Sequence, residues 1–450
     1  MDHSEKPATR PRVTLSPNHH MTINWHSFDR QDDAPVTRTS LTERATIVGR
    51  VGIIMLSCGT GAWRVREAMN TIARDLGLTC AADVGLITIE YTCFDHGRHY
   101  TQALALPTSG VNTDKLTVIE RYVTRFATDC VGLTVGEIHA QLDQIQHKPG
   151  NFSALTAGLA SALACAAFTF LLGGGPIEMI CAFLGAGVGN YSRRLMGARR
   201  ITVTASTAVS VALACLSYLL MFKVLELGFH ISQAHEAGYI GAMLFVIPGF
   251  PFITSGLDMA KLDMRSGLER GTFAIMVIVV ATVTGWLVAL LVHFEPQNFI
   301  PLHLSFWVLL TCRLAASFCG VYGFSIMFNS PRKLAASAGL LGAVANTLRL
   351  TLVDFAMPAA AAAFIGALVA GLLASAVNRN TGYPRISLTV PAIVIMVPGL
   401  YMYRAMFNLG LNDFGVGGGW MIKAVLIVVA LPLGLAAARI VTDSEWRHVD

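Results

Sequence analysis

This chain of 450 residues is poor in charge: 14% of its positions are Asp, Glu, Lys or Arg, against about 25% in soluble domains. With 54% hydrophobic residues, that scarcity excludes a chain whose whole surface meets water. The sequence also lacks a P-loop, a nucleophile elbow and an HExxH pair, so neither nucleotide-driven work nor a standard hydrolytic centre is expected, and the chain does not read as an enzyme. Its nine cysteines show no zinc-finger or redox spacing, and no metal or cofactor is implied. Cys58, Cys80, Cys93 and Cys130 fall in a polar part; Cys165, Cys181, Cys215, Cys312 and Cys319 fall in apolar runs, where cysteine packs as a small hydrophobe. No signal peptide is legible in the polar, Pro-rich start. The net charge of +5 needs no nucleic-acid partner, because basic loops on the cytoplasmic side of a membrane account for it.

What the chain does have is long apolar runs, and residues 241–292 organise the rest. Two membrane-length runs flank a charged connector. Pro248-Gly249 sits inside the first run, and Asp258 and Asp263 follow it. The pattern returns at an offset of 150 (398 − 248): Val397-Pro398-Gly399 repeats Ile247-Pro248-Gly249, Asp263 becomes Asp413, Gly267 becomes Gly417 and Asp258 becomes Asn408. Proline removes a helical hydrogen bond, and in lipid that loss must be made good by protein or by water in a cavity. Breaks at matching points of two halves therefore mark a substrate site; the plainer alternative is a packing kink.

Residues 1–40 read as a disordered tail interrupted by Pro7, Pro11, Pro17 and Pro35. Residues 41–150 read as a small cytoplasmic α/β domain. Helices are expected from Leu41 towards Met55 and from Gly61 to Leu76, then strands over 86–91 and 100–106 joined by a hairpin at Asp95-His96-Gly97. Asp114 is expected to cap a third helix, and Thr134-Val135-Gly136-Glu137 is a capping box for a fourth. Ten apolar segments follow, near 153–172, 176–192, 201–222, 238–258, 271–293, 302–328, 334–354, 358–377, 387–409 and 419–440, each close to the roughly 20 residues of a spanning helix. The expectation is a polytopic α-helical membrane protein of ten transmembrane helices, split into five-helix repeats over 151–295 and 296–450.

Charge orients these segments. Arg193, Arg194, Arg199, Arg200, Lys261, Arg265, Arg270, Arg332, Lys333, Arg379, Arg385, Arg439 and Arg447 all fall on the side of the 41–150 domain. The opposite loops at 172–176, 294–298 and 354–358 are nearly bare of Lys and Arg. Both termini are then cytoplasmic in a multi-pass protein of the plasma (inner) membrane. Five spans per half make the halves antiparallel, an inverted repeat. Phe183-Leu184-Gly185-Ala186 and Phe364-Ile365-Gly366-Ala367 look like a further matching pair at an offset of 181 (366 − 185).

Several stretches together resemble the threonine/serine exporter family. Gly61-Ala62 with Arg64-Val65-Arg66-Glu67-Ala68-Met69 is similar to its first soluble motif, Gly110-Val111-Asn112-Thr113-Asp114-Lys115-Leu116 to its second, and Gly136-Glu137 through Leu142-Asp143-Gln144-Ile145 to the helix before the membrane. Ile247-Pro248-Gly249 with Asp258 and Ser266-Gly267, then Val397-Pro398-Gly399, resemble its two membrane signatures. The likeness runs over about residues 45–441. It implies export of threonine and serine from the cytoplasm, driven by the proton motive force, by a chain with both halves fused. Some relatives split into two chains look like dicarboxylate exporters. A sensor whose soluble domain binds a ligand is the rival from another class, and it gives no reason for an inverted repeat.

The partners implied are the small-molecule substrate, protons, the bilayer and, in a homo-oligomer, a second copy. For substrate, the expected residues are the two breaks, Pro248-Gly249 and Pro398-Gly399, with Thr254, Ser255, Asn346 and Arg313. Unwound backbone supplies donors and acceptors for a zwitterion. Thr254 and Ser255 have an alternative, a bond back to their own helix, and Asn346 has an interhelical bond. Arg313 costs energy in lipid unless paired or wet, with Glu178 or Asp354 as candidate partners; Arg349 and Asp354 are a second candidate pair. Asp258 and Asp263 are the expected proton-coupling groups, since a carboxylate withdrawn from water titrates nearer neutrality. For Asp263 the alternative is an ion pair with Lys261 or Arg265.

Overall fold

The computed structural model describes residues 23–29, 34–230, 238–293 and 299–448. The N-terminal unit opens with α1 (Leu41–Ser57) and α2 (Ala62–Asp75), followed by the antiparallel meander β1 (Thr79–Val84), β2 (Thr88–Asp95) and β3 (Arg98–Ala105), then α3 (Thr113–Asp129) and α4 (Val135–Gln146). Two of these starts are local. Ser40 with Glu43, and Thr134 with Glu137, form reciprocal capping boxes, which satisfy orphan N–H donors at the first turn. Asp95 pairs with Arg98 across His96-Gly97, and both turn residues take positive φ, as a two-residue hairpin requires.

Three details differ from expectation. β1 was unforeseen: its Thr79-Cys80-Ala81-Ala82-Asp83-Val84 lacks the bulky alternation of a strand and is held by pairing with β2. Asn112, not Asp114, caps α3 by accepting the Lys115 N–H at 3.0 Å; Asp114 instead meets Lys148 at 2.7 Å. Part of the expected tail is structured. Trp25–Phe28 and Val36–Arg38 form short 3-10 turns, and Trp25 is buried against His139. The rest of that tail, residues 1–22 and 30–33, lies outside the described residues.

The remainder is helical: α5 (Ala154–Leu171), α6 (Pro176–Ala198), α7 (Val203–Phe229), α8 (Tyr239–Met243), α9 (Gly249–Ala260), α10 (Met264–Leu291), α11 (Phe306–Met327), α12 (Arg332–Asp354), α13 (Ala359–Thr381), α14 (Arg385–Val394), α15 (Gly399–Gly410) and α16 (Phe414–Thr442). Seven of these are long and apolar enough to cross a membrane. Two bent pairs, 239–246 with α9 and α14 with α15, bring the number to nine among the described residues. The segment expected at 176–192 is the 23-residue α6, which carries Glu178, Asn190, Arg193 and Arg194 and is not among the nine. The sparse loop expected at 294–298 lies outside the described residues.

The neighbours of α5 to α10 recur in α11 to α16. α5 packs on α6 as α11 packs on α12, α6 on α8 as α12 on α14, α7 on α10 as α13 on α16, and α9 on α10 as α15 on α16. Two contacts cross between the sets in the same manner, α9 with α16 and α10 with α15. By these neighbours α6 corresponds to α12, so the 183–186 and 364–367 likeness, which sits on α6 and α13, does not mark corresponding positions. Both glycines serve close helix approach: a side chain at Gly185 would meet the Ala214 carbonyl, and one at Gly366 the Ala345 carbonyl.

Candidate functional site

Both breaks have the same backbone. Pro248 sits at φ −81°, ψ 58°, and Gly249 N–H bonds the Ile247 carbonyl at 2.8 Å. Pro398 sits at φ −81°, ψ 56°, and Gly399 N–H bonds the Val397 carbonyl at 2.9 Å. An i→i+2 bond about such a residue is an inverse γ-turn. It needs no N–H from the proline, and it bends the two segments by 52° and 49°. The breaks also touch. A Cβ on Gly249 would fall inside the Val394 side chain, and one on Gly399 inside Ile247. Glycine is required at each for space. Tyr239, at the start of α8 ahead of the first break, bonds Tyr403, on α15 beyond the second, hydroxyl to hydroxyl.

A cavity of about 510 Å³ opens beside the second break, with 397–400 in its wall. Arg313, Arg349 and Arg404 all line it. Arg313 makes a two-pronged pair with Asp354, its second bond at 3.2 Å. The alternative Arg349–Asp354 pair does not form. Arg349 Nη1 instead faces the Met396 carbonyl at 3.5 Å, just before the break. Arg404 stacks over Trp420 at 5.0 Å. At the offset of 150, Arg404 stands where the first half has Thr254, and Trp420 where it has Arg270.

The first break leads to a filled site. Asp258 is fully buried. Its Oδ2 accepts from Ser266 Oγ at 2.9 Å and lies 3.1 Å from Arg270 Nε, while its Oδ1 accepts the backbone N–H of Ala62 at 2.9 Å. Arg270 is buried too and reaches the Gly59 carbonyl at 3.4 Å. The start of α2 in the N-terminal unit is thus seated on a membrane-unit carboxylate, which suits the partial positive charge of a helix start. Gly61 permits this, since a Cβ there would stand 2.5 Å from Asp258 Oδ1. Around it, Asp263 pairs with Arg66 and not with Lys261 or Arg265, Arg265 pairs with Asp83, and Glu269 Oε2 accepts the Leu86 N–H at 2.6 Å. A second seat joins the Thr113 and Ser330 hydroxyls at 2.7 Å and Asn329 to Asn112 at 3.0 Å. Arg439 stacks over Trp63 and Trp446 at 5.0 and 5.3 Å on a third side.

Of the remaining expected residues, Thr254 Oγ1 bonds the Phe250 carbonyl of its own helix at 3.0 Å. Ser255 Oγ ties α9 to α10 through the Gly267 carbonyl at 2.6 Å. Neither lines the cavity, and Asn346, bonded to Ser317 at 2.9 Å, does not either. Glu178 is no partner of Arg313: it is buried at the start of α6, where it accepts the Gly175 N–H at 2.9 Å. Arg404 and Arg270 were not expected at the site; the available signal was an arginine inside an apolar run and a substitution at the repeat offset.

Two family models match the chain, "Putative threonine/serine exporter" over residues 46–293 and "Threonine/Serine exporter, ThrE" over residues 313–441. A Mycobacterium tuberculosis protein named "Probable threonine/serine exporter" is 23% identical over 409 residues, which cover 86% of this chain and 74% of that protein. An Escherichia coli protein named "Probable succinate transporter subunit YjjP" is 24% identical over 262 residues, 55% of this chain and 96% of that protein. No solved structure matches.

Proposed function

This chain belongs to the threonine/serine exporter family, and on that footing we propose that it is a secondary active exporter of threonine and serine. It works by alternating access about the two γ-turn breaks and is driven by the proton motive force. The observation that carries the reading is the pair of breaks in mutual contact, one opening on a cavity and the other leading to a carboxylate sealed by the N-terminal unit. In this reading α6, long enough at about 1.5 Å per residue to cross the hydrocarbon core, is the tenth span. The recurring helix neighbours then belong to a five-plus-five inverted repeat. The bilayer is the plasma (inner) membrane with both termini cytoplasmic, and residues 41–150 close the inner mouth. Asp258 is the coupling group, exposed when the N-terminal unit leaves it.

Flux from proteoliposomes loaded with labelled threonine, serine or succinate, with and without a proton gradient, tests this. Gradient-dependent threonine and serine flux is the expected result. Flux of none of them, by protein that is folded and inserted, sinks it in favour of the sensor reading. A second reading, export of a dicarboxylate, is favoured by the three arginines on the cavity and by the name of the Escherichia coli relative. Succinate flux alone would select it.

A further inference from the structure

The cavity beside the second break is one-sided in charge. Its ionisable lining consists of Arg313, Arg349, Arg404 and Tyr401, and no aspartate or glutamate belongs to its wall among the described residues. Arginine within the hydrocarbon depth persists only where it is paired or wet. Arg313 is neutralised by Asp354. Arg349 has only a long bond to the Met396 carbonyl, and its Nε is enclosed with no hydrogen-bond partner among the described residues. Asp354, five residues further along the same helix, is engaged with Arg313. Beside Arg349 the wall is formed by the start of α15, where Leu400 and Tyr401 line the cavity; Gly399 N–H is spent on the Val397 carbonyl, and the N–H groups that follow it in the first turn of a helix have no intrahelical acceptor.

We propose that this cavity is a carboxylate-binding subsite in which Arg349 holds a carboxylate of the exported molecule against the start of α15, with Arg404 as the second cation. The inference rests on the exporter reading and adds to it which group of the substrate is recognised and where. Planar guanidinium donors match a carboxylate in two-pronged geometry. The halves then divide the work. Where the first half has Thr254 and Arg270, and Arg270 is locked to Asp258, the second has Arg404 and Trp420 on an open cavity. The same chemistry serves the α-carboxylate of an amino acid or one end of a dicarboxylate.

The test uses the purified full chain. Competition against labelled threonine and labelled succinate flux is measured with unlabelled threonine and with threoninol, which lacks the carboxylate, in the parent protein and in Arg349→Gln and Arg349→Lys. Binding of threonine and succinate is measured in parallel by calorimetry in detergent. The expected result is threoninol competing about tenfold or more weakly than threonine in the parent. In Arg349→Gln that gap closes and KM rises by a similar factor. Lysine, a point charge without the fork, restores it only in part. Whichever labelled substrate saturates names the source of the carboxylate. An unchanged KM in both variants, or a gap that survives Arg349→Gln, overturns the proposal; if the glutamine variant does not fold, the lysine variant carries the same comparison. Binding that needs Arg349 in a protein showing no flux would keep the subsite and sink the exporter reading. Absence of both binding and flux sinks both.

Discussion

The Asp258 carboxylate accepts the backbone N–H of Ala62 at 2.9 Å, 196 residues away in the chain. The contact makes a buried membrane-unit ion pair with Arg270 dependent on the seating of α2, and the exporter reading can be interrogated there.

Removing one partner of a buried pair leaves a charge without compensation, which costs about 3–5 kcal/mol. Asp258→Asn and Arg270→Met should each destabilise the protein by about that amount, whereas the double variant should lose much less than their sum. Equilibrium or thermal unfolding of the four proteins checks this; additive losses would mean that the two residues are not coupled. In proteoliposomes, Asp258→Asn that remains folded should lose pH-gradient-driven flux. Unchanged pH dependence would remove Asp258 from the mechanism.

If the N-terminal unit must leave the inner mouth, tying it down should stop flux. Asp83 and Arg265 form an ion pair between β1 and α10. Cysteines placed at both, in a chain whose native cysteines are replaced, should be joined by a short reducible cross-linker. Flux should then fall by about tenfold or more and recover on reduction. Cross-linked protein that still exports at the parent rate would show that undocking is not part of the cycle.

The two breaks are in contact through glycine, which makes a size-compensation experiment possible. Gly249→Ala should overpack against Val394 and cost about 1–3 kcal/mol, with loss of flux. Adding Val394→Ala should return most of both. Failure of the second change to restore either one would mean that the bent segments do not meet there.

His139 predicts a pH dependence in the N-terminal unit. Burial, helped by Arg50 and His26 beside it, lowers its pKa from 6.5 to about 4. Asp143 is held below its ordinary value: burial opposes this, and hydrogen bonds from His26 and Arg50 outweigh it. The unfolded chain binds more protons than the folded one in this range, so stability is present above about pH 6.5 and is lost as pH falls towards about 4. Hydrogen exchange on the full chain should show α1, α4 and the Trp25–Phe28 turn losing protection together over that window. His139→Gln should flatten the upper part of the loss.

The features readable in advance were those written by neighbours in sequence. Thr134 and Glu137 lie three residues apart, and at a helix start a hydroxyl and a carboxylate at that spacing close on each other's N–H groups. The second break was legible for a similar reason, because Val397-Pro398-Gly399 repeats a local pattern. β1 was not legible, since its six residues become a strand only by pairing with β2. Thr254 was ambiguous because a hydroxyl four residues past a carbonyl has a partner whatever surrounds it.

By itself, then, the sequence determined the membrane class, the two breaks at an offset of 150 and the capped helix start at Thr134, all of which follow from composition, periodicity and contacts within a few residues. Tertiary structure decided the partners of the charges. Asp263 went to Arg66 and not to the nearer Lys261 or Arg265, Asp354 went to Arg313 and not to Arg349, and Asp258 acquired a donor from α2. In a medium that solvates ions poorly, each charge settles where packing brings a complementary group within about 3 Å. That distance is set by how whole helices meet, which no run of adjacent residues records.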